Sequence, residues 1–282
     1  MVTATLQPHT EAAVPHIPLH TLQGDARFWA DRLLSVFQGK TLDGVEWSMK
    51  FSAAGLVGNR YMLGLSRDNW RQLDWSTLAR ALQVPSGLWG RILADMEYAR
   101  AAYFAYEPDE RGLGNYRIYL ELMSTPEALQ REGVLPLGCG YKWCPALDLA
   151  PIITAYRMRH LPDREAFDSY LAPYLARLAQ PVLRQTAHKL IDLAVAQGRA
   201  QDFMFLEVDE AASRRDSFTV TFRGTDLPLR AVIPDLLRLA GSLALAESEV
   251  LGYLVPDEPR SLYSLAGGTA RDGHEFLTVY YD

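Results

Sequence analysis

Six basic residues recur at positions that read as strand: Lys50, Arg60, Arg117, Lys142, Arg157 and Arg223. Tyr119, Tyr156 and Tyr280 stand in comparable places. Arginine offers a planar fork of donors and lysine a compact charge, the combination that grips a phosphate or diphosphate. Tyrosine hydroxyls add donors, and their rings attract a cation held over the face. Taken singly, each of these residues reads as a solvated strand position. Gathered on the inner wall of a barrel, the set suits a diphosphate or polyphosphate ligand.

Glu46 is the leading acid–base candidate. In Val45-Glu-Trp-Ser-Met-Lys-Phe51 it shares one strand face with Ser48 and Lys50, because successive side chains point oppositely. A carboxylate aimed into a diphosphate pocket repels the ligand. A general base that takes the acceptor's proton would explain one there. The competing reading is a surface Glu46 paired with Lys50. Glu121, on the face of Arg117 and Tyr119, is the weaker candidate.

Other motifs carry less. Gly138-Cys-Gly-Tyr-Lys-Trp-Cys144 lacks the glycine–lysine–hydroxyl pattern of a phosphate loop. Gly267-Gly268 lacks the strand–turn–helix context of a dinucleotide fingerprint. Asp202, Glu207, Asp209 and Glu210 fit a solvated hairpin better than a metal site. The six histidines are scattered, and no paired aspartate-rich helix motif appears.

The elements that must position these groups alternate between hairpins and helices. The residues 25–37 form a first helix, with Trp29, Leu33, Val36 and Phe37 at helical spacing. Five strand pairs follow: 45–51 with 60–65, 100–106 with 116–122, 137–143 with 152–160, 203–208 with 217–223, and 262–265 with 275–281. Helices fall between them: one capped by Asp68 or Asn69 and carrying Trp70 to Leu78, then 88–95, a short one opened by Thr125-Pro126-Glu127, 163–174, 181–197, and 229–243, whose first turns Pro234 threatens to break. The stretch 107–115 reads as a turn-rich loop. Ten strands in five hairpins point to an α/β fold: a closed antiparallel barrel of ten strands surrounded by helices. A two-layer α+β fold is the alternative. One domain over 1–282 is expected, with residues 1–22, which carry Pro8, Pro15 and Pro18, loosely ordered or strapped over the body.

The 282 residues are 49% hydrophobic and 22% charged, enough for a large core. The net charge of −6, without a basic block, argues against a nucleic-acid partner. Cys139 and Cys144 make no disulfide framework or zinc site and suit a reducing compartment. No run of eighteen apolar residues and no signal-like N-terminus appear, so a cytoplasmic chain without a membrane partner is expected, and a monomer.

Three stretches resemble the peptide prenyltransferases of cyanobactin biosynthesis, which have the antiparallel barrel called the ABBA fold: Glu46-Trp-Ser-Met-Lys50 with Arg60-Tyr-Met-Leu63; Tyr103-Phe-Ala-Tyr106 with Tyr116-Arg-Ile-Tyr-Leu120; and Phe276-Leu-Thr-Val-Tyr-Tyr281. The resemblance implies transfer of a dimethylallyl or geranyl group from its diphosphate to a side chain of a peptide, usually macrocyclic. It makes Glu46 the catalytic glutamate and Arg60 a diphosphate-binding arginine, with Arg117 at a basic position of the corresponding strand. Lys50, Tyr119, Lys142, Tyr156, Arg157, Arg223 and Tyr280 join the donor-binding set more loosely, on inward phase. It also implies Mg2+ associated with the diphosphate. The segment 138–143 departs from the family in its glycines and in Lys142. A prenyltransferase of free aromatic metabolites, or a non-catalytic lipid- or nucleotide-binding barrel, are the alternative readings.

Overall fold

Period-two alternation sets the architecture. The computed structural model describes residues 22–108, 113–123, 132–159, 161–198, 203–210, 213–222, 225–254 and 260–282. Ten strands are present: β1 (Gly44–Ser52), β2 (Gly55–Ser66), β3 (Ala99–Pro108), β4 (Gly114–Leu122), β5 (Val134–Trp143), β6 (Ile152–Arg159), β7 (Met204–Asp209), β8 (Asp216–Thr221), β9 (Leu262–Thr269) and β10 (Glu275–Tyr281). Each is hydrogen-bonded to its neighbours in sequence, and β10 closes on β1. The result is the closed antiparallel barrel that the hairpin count leads one to expect.

Among the described residues, seven α-helices accompany the strands: α1 (Gly24–Phe37), α2 (Trp75–Ala81), α3 (Ser86–Met96), α4 (Arg164–Arg177), α5 (Pro181–Gln197), α6 (Leu229–Ser242) and α7 (Glu247–Tyr253). Several boundaries differ from the sequence reading; β9, for one, runs on to Thr269 where the reading stops at Leu265. Residues 69–81 are a 3-10 turn, Asn69–Gln72, followed by α2 rather than one helix. Leu73 is extended there, and the Asp74 carboxylate takes the backbone N–H groups of Ser76 and Thr77, so the true N-cap is Asp74. Helix α6 runs straight through Pro234, whose missing N–H deprives only one carbonyl of its donor. Helix α7 carries no sequence signal that the reading used. The expected short helix at Thr125 and the segment 1–21 lie outside the described residues.

The residues fall into two compact units. The first holds α1 to α3, β3, β4 and most of β2, β5 and β6. Its helix-side core contains Trp29, Leu33, Phe37, Tyr61, Leu63, Phe104, Tyr106, Tyr116, Ile118, Tyr141 and Trp143. Three tyrosines of neighbouring strands clamp α1: Tyr61 donates its hydroxyl to the Ala30 carbonyl at 2.8 Å, Tyr106 to that of Ala26 at 2.7 Å, and Tyr116 to that of Trp29 at 2.7 Å. Buried phenols need such acceptors. The second unit holds α4 to α7 and β7 to β10. Tyr174 of α4 packs on Phe205 and Phe218 of the sheet. The Glu275 carboxylate accepts from the N–H groups of Ala179 and Gln180, just ahead of α5, where a helix start favours an anion.

Candidate functional site

The tyrosines bound to α1 fix which face of β2 to β4 meets the helices, and alternation assigns the other face to the barrel interior. Register then stacks that inner face in rows. Ala105, Arg117 and Lys142 lie side by side on β3, β4 and β5. The next row is Gly64, Tyr103, Tyr119 and Gly140, and the one beyond is Ser66, Ala101, Glu121 and Gly138.

Three of the six basic residues meet here around a carboxylate that the sequence reading missed. Lys142 Nζ lies 2.8 Å from Glu107 Oε2, Arg60 Nη2 lies 3.3 Å from Oε1, and Arg117 Nη2 lies 3.6 Å from Oε2. The sequence pattern places Glu107 in the loop after the strand. In fact β3 continues to Pro108, which puts Glu107 on the face of Tyr103 and Ala105. The unbroken alternation Tyr103, Ala105, Glu107 was the available signal. Burial raises the Glu107 pKa, but the charges of Lys142, Arg60 and Arg117 outweigh it and hold the carboxyl well below the usual range. Glu107 does not use up the donors of Arg60. Arg60 is 11% exposed, and its Nε and Nη1 are buried without hydrogen-bond partners. Buried donors left open in this way call for an acceptor.

Beside the cluster runs a group of tyrosines. Tyr103 and Tyr119 rings are 5.6 Å apart, and Tyr156 meets Tyr119 edge-on at 5.2 Å. Burial, then the nearby Glu121 charge, pushes the Tyr119 phenol well above its ordinary pKa, so it stays a neutral donor. The glycines of β5 make room for these rings. A side-chain carbon on Gly138 would sit 2.9 Å from the Tyr119 hydroxyl, and one on Gly140 would sit 3.2 Å from the Tyr156 ring. Glu121, the weaker acid–base candidate, is already engaged: Arg100 pairs with it and Tyr103 donates to it at 2.8 Å.

The remaining candidates are placed as follows. Glu46 lies on β1 on the face of Ser48 and Lys50, while Val45 and Trp47 turn to the helix-side core. The Lys50 ammonium stands 5.1 Å from the Phe276 ring centre. Tyr280 points to the side of β10 opposite Tyr281, whose hydroxyl reaches the Tyr253 carbonyl of α7. Arg157 does not join the group. It alternates with Tyr156 on β6, is half-exposed, and pairs at 2.9 Å with the exposed Asp209. Arg223 lies outside the described residues. Glu207 and Glu210, read as solvated hairpin acids, are instead held. Glu207 accepts from Arg159 and Tyr170, and Glu210, only 3% exposed, is gripped by Arg271 and Arg215.

Among the described residues, no group of three His, Cys, Asp or Glu side chains could hold a metal ion. A hard cation such as Mg2+ wants several oxygen ligands. Among the described residues, the ion pairs of 2.8, 3.3 and 3.6 Å at the cluster involve one carboxylate, Glu107, which alone does not fit a protein-built magnesium site.

No protein-family model matches the sequence, and no curated protein matches it. Solved structures do match in fold. PriB, crystallised with product diphosphate, superposes with a TM-score of 0.59 at 16% identity, over 92% of this chain and 90% of that one. AnaPT from Neosartorya fischeri gives 0.59 at 10% identity, over 99% and 94%. The 6-dimethylallyltryptophan synthase from Micromonospora olivasterospora, in complex with DMASPP and Trp, gives 0.53 at 11% identity, over 84% and 80%. The chain therefore has the ABBA prenyltransferase barrel fold.

Proposed function

We propose that this chain transfers a prenyl group, dimethylallyl or geranyl, from an isoprenoid diphosphate to a side chain of a cyclic peptide. The observation that carries the donor half is the cluster of Arg60, Arg117 and Lys142, with buried Arg60 donors open, on the inner wall of a barrel of this fold. Guanidinium and ammonium groups stabilise the charge that develops on a departing diphosphate. In the proposed step the allylic C–O bond breaks and its electron pair leaves with the diphosphate. Tyr103, Tyr119 and Tyr156 border the site, and their faces stabilise the allylic cation while excluding water that would trap it. The acceptor's electron pair forms the new bond to the allyl carbon. Glu46 takes the proton that the acceptor releases. Lys50 and Tyr280 are assigned to the donor-binding set on their strand phase alone.

The peptide acceptor rests on the resemblance of 46–63, 103–120 and 276–281 to the cyanobactin enzymes. A second reading, a free aromatic acceptor, is supported by the tryptophan bound in similar structures. Parallel incubations with dimethylallyl and geranyl diphosphate test both. One set receives cyclic peptides and one receives tryptophan and other free aromatics, each read by mass spectrometry. Mass gain on a peptide supports the first reading, and gain on the free aromatic alone moves the assignment to the second. Absence of both, with donor intact, would leave a binding barrel and overturn prenyl transfer.

A further inference from the structure

The proposed reaction leaves Glu121 without a part. Its side chain is buried on the inner wall, one row beyond Tyr103 and Tyr119. Arg100 pairs with the carboxylate, and the Tyr103 hydroxyl donates to Oε2 at 2.8 Å. A buried ion pair is seldom a route to stability, since well-packed apolar side chains serve as well or better. The pair therefore calls for a chemical reason, and the phenol bound to it supplies one.

A phenol that donates to an acceptor is polarised by it, and a carboxylate polarises it more than a neutral oxygen does. Electron density moves from the O–H bond toward the ring. The negative face of the ring deepens, and with it the attraction for a cation lying over that face. The same hydrogen bond fixes the ring in place, so no freedom remains to be lost when the cation forms. On β2 the residue opposite Tyr103 is Gly64, which sets no side chain beside the ring, and the Tyr119 ring lies 5.6 Å away on β4. Arg100 balances the charge of Glu121, which lets a carboxylate sit in the wall at all.

We infer that Glu121 is a positioning residue that acts through Tyr103: its carboxylate, balanced by Arg100, orients the phenol and enriches its ring, and so strengthens the hold on the allylic cation. This rests on the proposal that Tyr103 borders the site of prenyl transfer. It gives Glu121 a task separate from that of Glu46, with no proton moved to or from it.

The test is a double-mutant cycle. Glu121→Gln keeps an acceptor oxygen and removes the charge, and Tyr103→Phe keeps the ring and removes the hydroxyl. The reaction contains dimethylallyl diphosphate and a mixture of cyclic peptides, or of tryptophan and other free aromatics. Single-turnover loss of donor is read by mass spectrometry. Affinity for the unreactive dimethylallyl thiolodiphosphate is read by calorimetry. Each single variant should slow turnover by about three- to thirtyfold and leave that affinity within about twofold, because the effect falls on the cation and not on the bound donor. The double variant should be no slower than the slower single one. Losses that multiply would overturn the inference, since Glu121 would then act without Tyr103, as a base or as a support of the fold. Should Glu121→Gln fail to fold, Tyr103→Phe still decides: an unchanged rate, or a rate loss matched by an equal loss of affinity, overturns the inference. No loss of donor with the unmutated protein overturns prenyl transfer itself, a result distinct from the others.

Discussion

Lys142 on β5 reaches across β4 to place its ammonium 2.8 Å from a carboxylate oxygen of Glu107 on β3. The pair spans three strands of the inner wall and ties the site's charge to the register of the sheet. A slip of one residue in any of the three would send its side chain to the helix side.

That pair makes acid stability a direct readout. The Glu107 pKa is depressed in the folded protein, so the folded state binds fewer protons than the unfolded one. Its stabilisation is complete above the ordinary glutamate pKa of about 4.3 and is lost as pH falls through the lower folded value. Denaturant unfolding measured below about pH 4.3 should show a steep acid limb in the unmutated protein and a shallower one in Glu107→Gln. Identical limbs would mean that the pair does not persist in solution.

The cationic residues should separate by location. Arg60→Ala and Arg117→Ala should each weaken pyrophosphate binding by about tenfold or more, and binding by the unmutated protein should fall as salt is added. Arg157→Ala removes only an exposed ion pair and should leave binding unchanged. Calorimetry checks all of these, and a large effect at Arg157 would move the site to the other side of β6.

Glu46 carries the sharpest kinetic expectation. Glu46→Gln should lower single-turnover prenyl transfer by roughly 10²- to 10⁴-fold, the range for a positioned acid–base group, with donor affinity unchanged or slightly tighter. An unchanged rate defeats the assignment even if the donor binds. Transfer that persists at a different acceptor atom would make Glu46 an orienting group.

The β5 glycines should differ from one another. A methyl on Gly138 would stand 2.2 Å from the Leu120 carbonyl oxygen, a backbone atom that cannot easily move. Gly138→Ala should destabilise the protein by about 1–3 kcal/mol. At Gly140 the obstacle is the Tyr156 ring, which can turn. Gly140→Ala should fold nearly as well and change the preferred prenyl length. Thermal unfolding and a comparison of the two donors distinguish them.

Much of this architecture was readable because β strands announce their faces. Arg117, Tyr119 and Glu121 alternate with Tyr116, Ile118 and Leu120, and the structure separates the two sets as the letters do. Where the reading stopped short, the cause was local. Glu107 looked like loop because Pro108 and a glycine-rich stretch follow it, and proline is unwelcome inside a sheet but tolerated at the end of a strand. The inward phase expected for both Arg157 and Tyr156 cannot hold, because neighbours on one strand do not share a face. Asp74 was passed over as a cap because two polar residues, Asp68 and Asn69, preceded it. The clamp of three tyrosines on α1 involves partners more than thirty positions apart, and no local pattern encodes it.

The pairing of β10 with β1 has a consequence for how the chain is made. β1 is made long before β10, its partner on that side. Until Glu275–Tyr281 is available, the wall is a curved sheet with two raw edges, and the contacts that end this state are separated by almost the whole sequence. Such long-range closure comes late and slowly. Before β10 is made, the β1 edge is therefore open to non-native pairing, and loss of β10 would leave it open.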